Sequence, residues 1–312
     1  MALPTKHIRN QGPVIAMLGH TAFEALRRKV TGKTPSGPGE LPGPELRIEL
    51  PPRPRELIRD YVRFCGGDPN SYKHTVPAHL WPQWGFPLAA KTLEVVPYPI
   101  FKVLNGGCRV EVNSPLPADE PLEVRFFFDR FGDHRGLAAL PPRRTSGPPS
   151  APDAIVATMY AIVPLGGGGG SKSKGDKSEK KQPERVPLAP EAVELCRWKL
   201  KDDAGLAFAM LTGDFNPVHW VPQYAKAFGF RNTILHGFAT MGLAWEGLVR
   251  SRYAGNPDGL ASFDVKFTKP LTLPAKVGLY LREEGAQDKI WVGPAPGGSA
   301  YSVGTAIGRG RD

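Results

Sequence analysis

The sequence predicts an α+β fold built from two similar units, each with an antiparallel sheet wrapped around a buried helix. One order of elements, a helix, a loop, a second helix and then strands, occurs twice in the 312 residues. The stretch 237–249 is apolar on nearly every face, which is typical of a helix buried on most sides. Two such units could join as a pseudo-dimer within one chain.

In the first unit, a helical stretch ends at Phe64 and leads into a Gly-Asp-Pro-Asn loop at 67–70. Trp-Gly-Phe at 84–86 then opens an apolar stretch. The segment 108–116 alternates polar and apolar side chains and stops at a proline, as a half-buried strand does. The Pro/Arg-rich stretch 141–149 predicts a surface loop between two strands.

The second unit repeats this order. A helical stretch at 206–210 leads into Gly-Asp-Phe-Asn at 213–216, and His-Gly-Phe at 236–238 opens the apolar helix. The strands expected after that helix cover residues 261–268, 276–282, 289–292 and 301–307.

Five consecutive glycines at 166–170, followed by lysines and prolines, cannot bury enough apolar surface to offset their conformational entropy. They predict a linker at 166–190. The division is then an N-terminal extension at 1–50, a first repeat at 51–165 and a second repeat at 191–312.

Composition restricts the class of protein. Hydrophobic residues make up 41% of the chain and charged residues 22%, which is typical of a globular protein with more than one core. The chain has no apolar run long enough for a membrane helix, no signal pattern at its start and no Ser-Lys-Leu ending, which predicts a cytoplasmic protein. The three cysteines are widely spaced and form no metal-binding pair, so no metal is expected.

The net charge of +10 indicates a polyanionic partner: a nucleic acid, an acidic carrier protein or the phosphates of coenzyme A. Interleaved aromatic and basic residues and a helix-turn-helix pattern are absent, which disfavours nucleic acid. Glycine-rich nucleotide loops are absent as well, so no cofactor is expected and water is the only cosubstrate.

The segment 211–219, Leu-Thr-Gly-Asp-Phe-Asn-Pro-Val-His, carries the candidate chemistry. Asn216 is suited to cap a helix and Pro217 to begin it, which places His219 in the first turn. Asp214 then lies close enough for a carboxylate and an imidazole to face one water molecule.

This segment, together with 228–230 and 234–238, resembles the hydratase 2 motif of MaoC-like hotdog proteins. The duplicated arrangement is similar to the double-hotdog (3R)-hydroxyacyl-thioester dehydratases of mycobacteria over roughly residues 50–310. The resemblance implies a double hotdog fold. It also implies an (R)-specific hydro-lyase of fatty acid metabolism, which adds water reversibly to trans-2-enoyl-CoA or to the acyl carrier protein thioester.

The resemblance assigns the acid/base pair to Asp214 and His219, and an orienting role to Asn216, for which pure capping is the alternative. It makes Gly237 the residue whose backbone N–H meets the thioester carbonyl, where unpaired helix N–H groups favour a developing negative charge. Close helix–sheet packing is the alternative for Gly237. For His236 a structural hydrogen bond is favoured over direct chemistry.

The first repeat departs from the motif. It keeps Asp68 and a histidine displaced by one residue, His74, but it lacks the proline after Asn70 and has Trp84 where the second repeat has His236. We interpret it as a degenerate unit that shapes the acyl pocket. The candidate pocket walls, with core packing as the alternative, are Trp81, Trp84 and Phe86. Phe238 of the second repeat is a further candidate for substrate binding.

Arg231, Lys266 and Lys269 are candidates for contacts with coenzyme A phosphates or an acidic carrier protein, and solvated strand ends explain them equally well. A homodimer of double-hotdog chains is compatible with the resemblance. The alternatives to hydration are a catalytically silent acyl-thioester binding protein and a hotdog thioesterase.

Overall fold

The structure is a computed structural model, and it describes residues 3–12, 27, 45–85, 104–128, 132–134, 137–140, 142–164 and 185–310. Phe86, the apolar stretch after it and most of the predicted linker lie outside the described residues. Within the described ranges, no helix is long and apolar enough to cross a membrane.

In the second repeat a helix, a loop, the buried helix and strands follow in the predicted order, after a strand at Val193–Leu200 that was not predicted. The strands are β1 (Leu46–Leu50), β2 (Leu104–Val112), β3 (Leu122–Phe128), β4 (Gly132–His134), β5 (Leu137–Leu140), β6 (Pro142–Gly147), β7 (Ile155–Pro164), β8 (Val193–Leu200), β9 (Ile234–Leu235), β10 (Leu260–Phe267), β11 (Leu271–Thr272), β12 (Ala275–Glu284), β13 (Gln287–Gly293) and β14 (Ser302–Gly308). The α-helices are α1 (Arg55–Phe64), α2 (Ala204–Thr212), α3 (Pro222–Ala227) and α4 (Gly237–Arg252). Short 3-10 helices cover Thr5–Gln11, Pro69–Tyr72, Ala78–Leu80, Pro217–His219 and Pro257–Gly259.

One antiparallel sheet runs through both repeats, in the order β1-β3-β6-β7-β2-β10-β14-β13-β12-β8. The repeats meet where β2 pairs with β10, with Cys108 opposite Val265. The predicted α+β architecture is confirmed, and the four strands expected after the buried helix are β10, β12, β13 and β14.

Helix α4 is apolar on nearly every face, and neighbouring elements cover it on two sides. Every residue from Phe238 to Val249 is buried. On one side, a Cβ at Gly247 would overlap Leu279 of β12 in the sheet. On the other, a Cβ at Gly242 would overlap the sulfur of Cys65, directly after α1 of the first repeat. The helix therefore lies between the sheet and the first repeat.

A buried polar contact links the repeats at this helix. His79 Nε2 lies 2.8 Å from Glu246 Oε1, and both side chains are almost fully buried. The hydroxyl of Tyr61 donates to the backbone carbonyl of His79 at 2.8 Å. A buried carboxylate needs such partners, and this one finds its partner 167 positions away in the chain.

The prediction of a surface loop at 141–149 is wrong. Residues 142–147 form β6, which pairs with β3 on one side and β7 on the other. Proline is tolerated here because Pro142 is the first residue of the strand, where its missing N–H costs least. Arg144, Thr145 and Ser146 are all buried. The prediction failed because a polar composition is typical of a surface loop, whereas this segment is an interior strand.

Candidate active site

The motif begins at the end of α2. Gly213 has φ +86, a left-handed conformation that favours glycine, and its N–H donates to Ala209 O at 2.7 Å. This cap ends the helix and releases Asp214 into the loop that follows. The glycine before the aspartate is thus required by backbone geometry.

Asn216 caps the next short helix. Its Oδ1 accepts from Val218 N–H at 3.2 Å, and Pro217 occupies the first helical position. His219 lies in that turn, as predicted. A Cβ at Gly205 of α2 would overlap the carbonyl of His219, so this glycine lets the turn lie directly against α2. Sequence reasoning did not single out Gly205, because only the packing reveals its role.

The ring of His219 is held in one tautomer. Its Nδ1 lies 2.8 Å from the backbone carbonyl of Ile234 in β9. A carbonyl only accepts, so Nδ1 carries the proton and Nε2 has a lone pair available for a proton. Ile234 was not predicted as part of the site, since every residue has a backbone carbonyl and the residue type does not indicate which one takes part.

His236 stacks on His219, with 3.6 Å between ring centres and an angle of 25° between the planes. Its Nε2 donates to the backbone carbonyl of Asp214 at 2.9 Å. His236 therefore ties the start of α4 to the loop that carries the carboxylate, which is the structural hydrogen bond that the sequence favoured for it.

Burial controls the protonation of all three groups. Burial raises the pKa of Asp214, although the neighbouring His219 acts in the opposite direction. Burial lowers the pKa of His219, opposed by the charge of Asp214, and holds the pKa of His236 well below its usual value. At neutral pH both imidazoles are therefore uncharged, and the carboxyl group binds its proton more readily than an exposed one.

Gly237 is the first residue of α4. A Cβ there would overlap the ring of Phe267, so close packing requires glycine. Its N–H is also one of the helix N–H groups that have no partner within the helix. Close helix–sheet packing and an N–H available for the thioester carbonyl, the two expectations for Gly237, are therefore compatible.

The candidate pocket walls form an aromatic chain beside this site. Phe238 meets Trp81 edge-on at 4.9 Å between ring centres and Phe267 at 5.9 Å. Trp81 and Trp84 are buried, and the indole N–H of Trp84 donates to Ser146 Oγ at 3.1 Å. Both tryptophans therefore belong to the hydrophobic core, and Trp81 packs against Phe238 next to the motif.

The counterpart residues of the first repeat do not form a second site. Asp68 is exposed and accepts from the N–H of Asn70 at 2.9 Å, as a helix cap. His74 is also exposed, and within the described ranges no hydrogen bond or ion pair joins it to Asp68.

The candidate phosphate contacts are all exposed. Lys266 and Lys269 lie on either side of Phe267, and the ammonium group of Lys269 is 5.5 Å from the centre of the Tyr301 ring. Arg231 lies in the loop before β9. Exposure is compatible with both of the roles considered for them.

Asp214, His219 and His236 offer ligand-type atoms that all lie within 4.8 Å of one another. A metal ion would need converging lone pairs, which lie in the plane of each imidazole ring. The two imidazole rings are stacked, so the lone pairs in their planes do not converge on one point. His236 Nε2 also carries a proton, which it donates to the carbonyl of Asp214. The geometry fits proton transfer at one water molecule better than metal coordination.

Comparison with solved structures defines the fold class. The crystal structure of HtdX from Mycobacterium tuberculosis superposes with a TM-score of 0.64 over 85% of this chain and 100% of that chain, at 19% identity. This likeness shows the fold, and the chain is a double hotdog protein.

Sequence comparison shows which proteins the second repeat resembles. Residues 178–292, which include most of the second repeat, match the model of the MaoC like domain. The peroxisomal enoyl-CoA hydratase 2 of Arabidopsis thaliana is 26% identical over 170 residues, 53% of this chain and 55% of that protein. The 3-hydroxyacyl-thioester dehydratase Y of Mycobacterium tuberculosis is 29% identical over 175 residues, 54% of this chain and 58% of that protein. The matches thus span little more than half the length of these relatives.

Proposed function

We propose that the chain catalyses the reversible addition of water to trans-2-enoyl thioesters, giving (3R)-3-hydroxyacyl thioesters, as a hydro-lyase of the MaoC type. One observation carries the proposal. A partly buried carboxylate and a neutral imidazole with an available Nε2, Asp214 and His219, lie together at the N-terminus of the buried helix α4. The R stereochemistry follows from the resemblance to hydratase 2 proteins.

The reaction needs one proton to move twice. His219 Nε2 takes a proton from the water molecule as its oxygen attacks C3, while Asp214 holds the same water. His219 then passes the proton to C2, so Asp214 and His219 end in their starting protonation states. The same steps in reverse remove water from the hydroxyacyl thioester. A neutral histidine is required at the start, and burial supplies it by lowering the pKa of His219.

Negative charge develops on the thioester oxygen during the attack. The N–H of Gly237 at the start of α4 is suited to donate to that oxygen, since preorganised donors stabilise an oxyanion at little reorganisation cost. Asn216 acts indirectly, because it caps the turn that positions His219.

Several finer features belong to the same proposal. The thioester carrier is coenzyme A or an acyl carrier protein, with Arg231, Lys266 and Lys269 as candidate contacts. The pathway is fatty acid metabolism, the compartment is the cytoplasm, and the assembly is a homodimer of such chains. No nucleic acid or membrane partner is expected.

The test follows the absorbance of the enoyl thioester while crotonyl-CoA or a longer 2-enoyl-CoA is incubated with the protein. A hydratase lowers the absorbance without releasing free thiol. Release of thiol, detected with a thiol dye, would identify a thioesterase instead. Binding of both thioesters without any change would identify a silent binding protein.

A further inference from the structure

Arg144 is a buried cation in the first repeat. It lies on β6 with 1% of its surface exposed. None of its three guanidinium nitrogens has a hydrogen-bond partner within the described part of the chain. Burial lowers its pKa to about 9. A guanidinium is all donor, so in a folded protein its N–H groups are expected to meet oxygen atoms.

The surroundings of Arg144 are aromatic. Its guanidinium carbon lies 4.2 Å from the ring centre of Trp81 and 4.9 Å from that of Phe126. These faces attract a cation but accept none of its hydrogen bonds in the plane of the guanidinium. The indole N–H of Trp81 is a second buried donor without an acceptor among the described residues. Two neighbouring groups therefore present donors to the same interior region.

Arg144 lies next to the first-repeat counterpart of Gly237. Gly85 follows Trp84 as Gly237 follows His236. A Cβ at Gly85 would overlap Arg144 Nη1 and the ring of Trp81. Where the second repeat has helix N–H groups and imidazoles, the first repeat thus has a guanidinium.

The surroundings of Gly85 and Gly237 are connected by the rings of Trp81 and Phe238. Phe238 follows Gly237 directly and packs edge-on against Trp81. Trp81 in turn lies against the guanidinium. An acyl chain whose thioester lies at Gly237 and extends along these rings points toward Arg144.

We propose that Arg144 binds a carboxylate at the far end of the acyl chain, so that the preferred substrates are ω-carboxylated trans-2-enoyl thioesters, the half-thioesters of unsaturated dicarboxylic acids. The position of the thioester in this inference rests on the proposed hydratase function. A carboxylate matches the planar guanidinium with two parallel hydrogen bonds. An apolar acyl end would leave the buried cation unpaired, which is the costly state for such a group.

The first experiment uses the wild-type protein alone. Hydration rates are compared for three series of trans-2-enoyl-CoA thioesters of matched lengths, ending in a methyl group, a carboxylate or the methyl ester of that carboxylate. We expect kcat/KM to be highest for the carboxylate at one best length. Equal or lower values for the carboxylate at every length, with the apolar series still hydrated, would overturn the inference and leave the proposed function intact.

The variant Arg144→Met removes the charge at similar volume. It should lower kcat/KM for the best ω-carboxyl substrate by on the order of 10²-fold while the apolar series keeps its rate. The variant should also unfold at a higher temperature, because an apolar side chain replaces an unpaired buried cation. Arg109→Met is the matched control, since Arg109 lies exposed on β2 and pairs with Glu111. A fall of the same size for both substrate series in Arg144→Met would mean a structural role and would overturn the inference.

A binding measurement separates this inference from the proposed function. Saturated ω-carboxyacyl-CoA should raise the unfolding temperature of the wild type more than the apolar acyl-CoA of equal length, and Arg144→Met should abolish the difference. This result is expected whether or not the protein turns over enoyl thioesters. Equal shifts for both ligands in the wild type would refute the carboxylate site.

Discussion

Gly237 and Gly85, which hold corresponding positions in the two repeats, lie in chemically opposite surroundings. Next to Gly237 are two stacked neutral imidazoles and a carboxylate. Next to Gly85 are a guanidinium and an indole. The backbone also differs, because Gly237 begins α4 whereas the N–H of Gly85 donates to the carbonyl of Trp81. In the proposed function the second repeat therefore carries the acid/base pair, and the first repeat is available for recognising the substrate.

The largest expected difference between the repeats is in catalysis. Asp214→Asn and His219→Gln should each lower the rate of hydration by about 10²- to 10⁴-fold, because the first removes the carboxylate that holds the water and the second the base that takes its proton. Asp68→Asn and His74→Gln are the matched changes in the first repeat, and they should leave the rate unchanged. Comparable losses from the two sets of variants, measured with crotonyl-CoA, would show that both repeats take part in the chemistry.

The glycines themselves provide the second comparison. Gly237→Ala would drive a methyl group into Phe267, and Gly85→Ala would drive one into Arg144 and Trp81. Each should lower the free energy of unfolding by about 1–3 kcal/mol, the usual cost of overpacking. Only Gly237→Ala should also reduce kcat on an apolar substrate. Denaturant unfolding and initial rates for the two variants check both statements, and an equal loss of kcat would remove the distinction between the glycines.

A smaller effect concerns pH. Burial holds the pKa of His236 well below 6.5, so the folded chain leaves this imidazole uncharged where the unfolded chain takes up a proton. The free energy of unfolding should therefore decrease as the pH falls below 6.5, by up to about 1.4 kcal/mol per pH unit for this residue. The lowered pKa of His219 acts in the same direction, and the raised pKa of Asp214 acts in the opposite direction.

The matched variant for the pH effect is His236→Gln. Its unfolding free energy should depend less steeply on pH between 6.5 and the acid limit of the fold, by one histidine's contribution. Denaturant titrations at several pH values measure this slope. An unchanged slope would mean that His236 is protonated in the folded protein.

Local sequence patterns predicted the second repeat well. A continuous apolar stretch located α4, and alternation of polar and apolar residues located strands after it. The Gly-Asp-Phe-Asn-Pro-Val-His segment located the turn of His219, because capping and helix-start chemistry depend on adjacent residues. Partners far apart in the chain were not predictable in this way. The contact of Glu246 with His79 depends on how the repeats pack against each other.

Strand β6 shows the same limit. Its Pro-Arg-Arg composition is typical of an exposed loop, and only pairing with β3 and β7 on both sides makes it an interior strand. The burial of Arg144 follows from that pairing and from Trp81 and Phe126, which cover its guanidinium. No pattern of neighbouring residues contains this information.

The most direct test of the account is to incubate the wild-type protein with crotonyl-CoA in water labelled with heavy oxygen and to locate the label by mass spectrometry. The account predicts intact 3-hydroxybutyryl-CoA with the label on C3, in the R configuration, and no such product from His219→Gln on the same timescale. Label in a free carboxylate together with free coenzyme A, or recovery of all the crotonyl-CoA from the wild type without any hydroxy product, would contradict it.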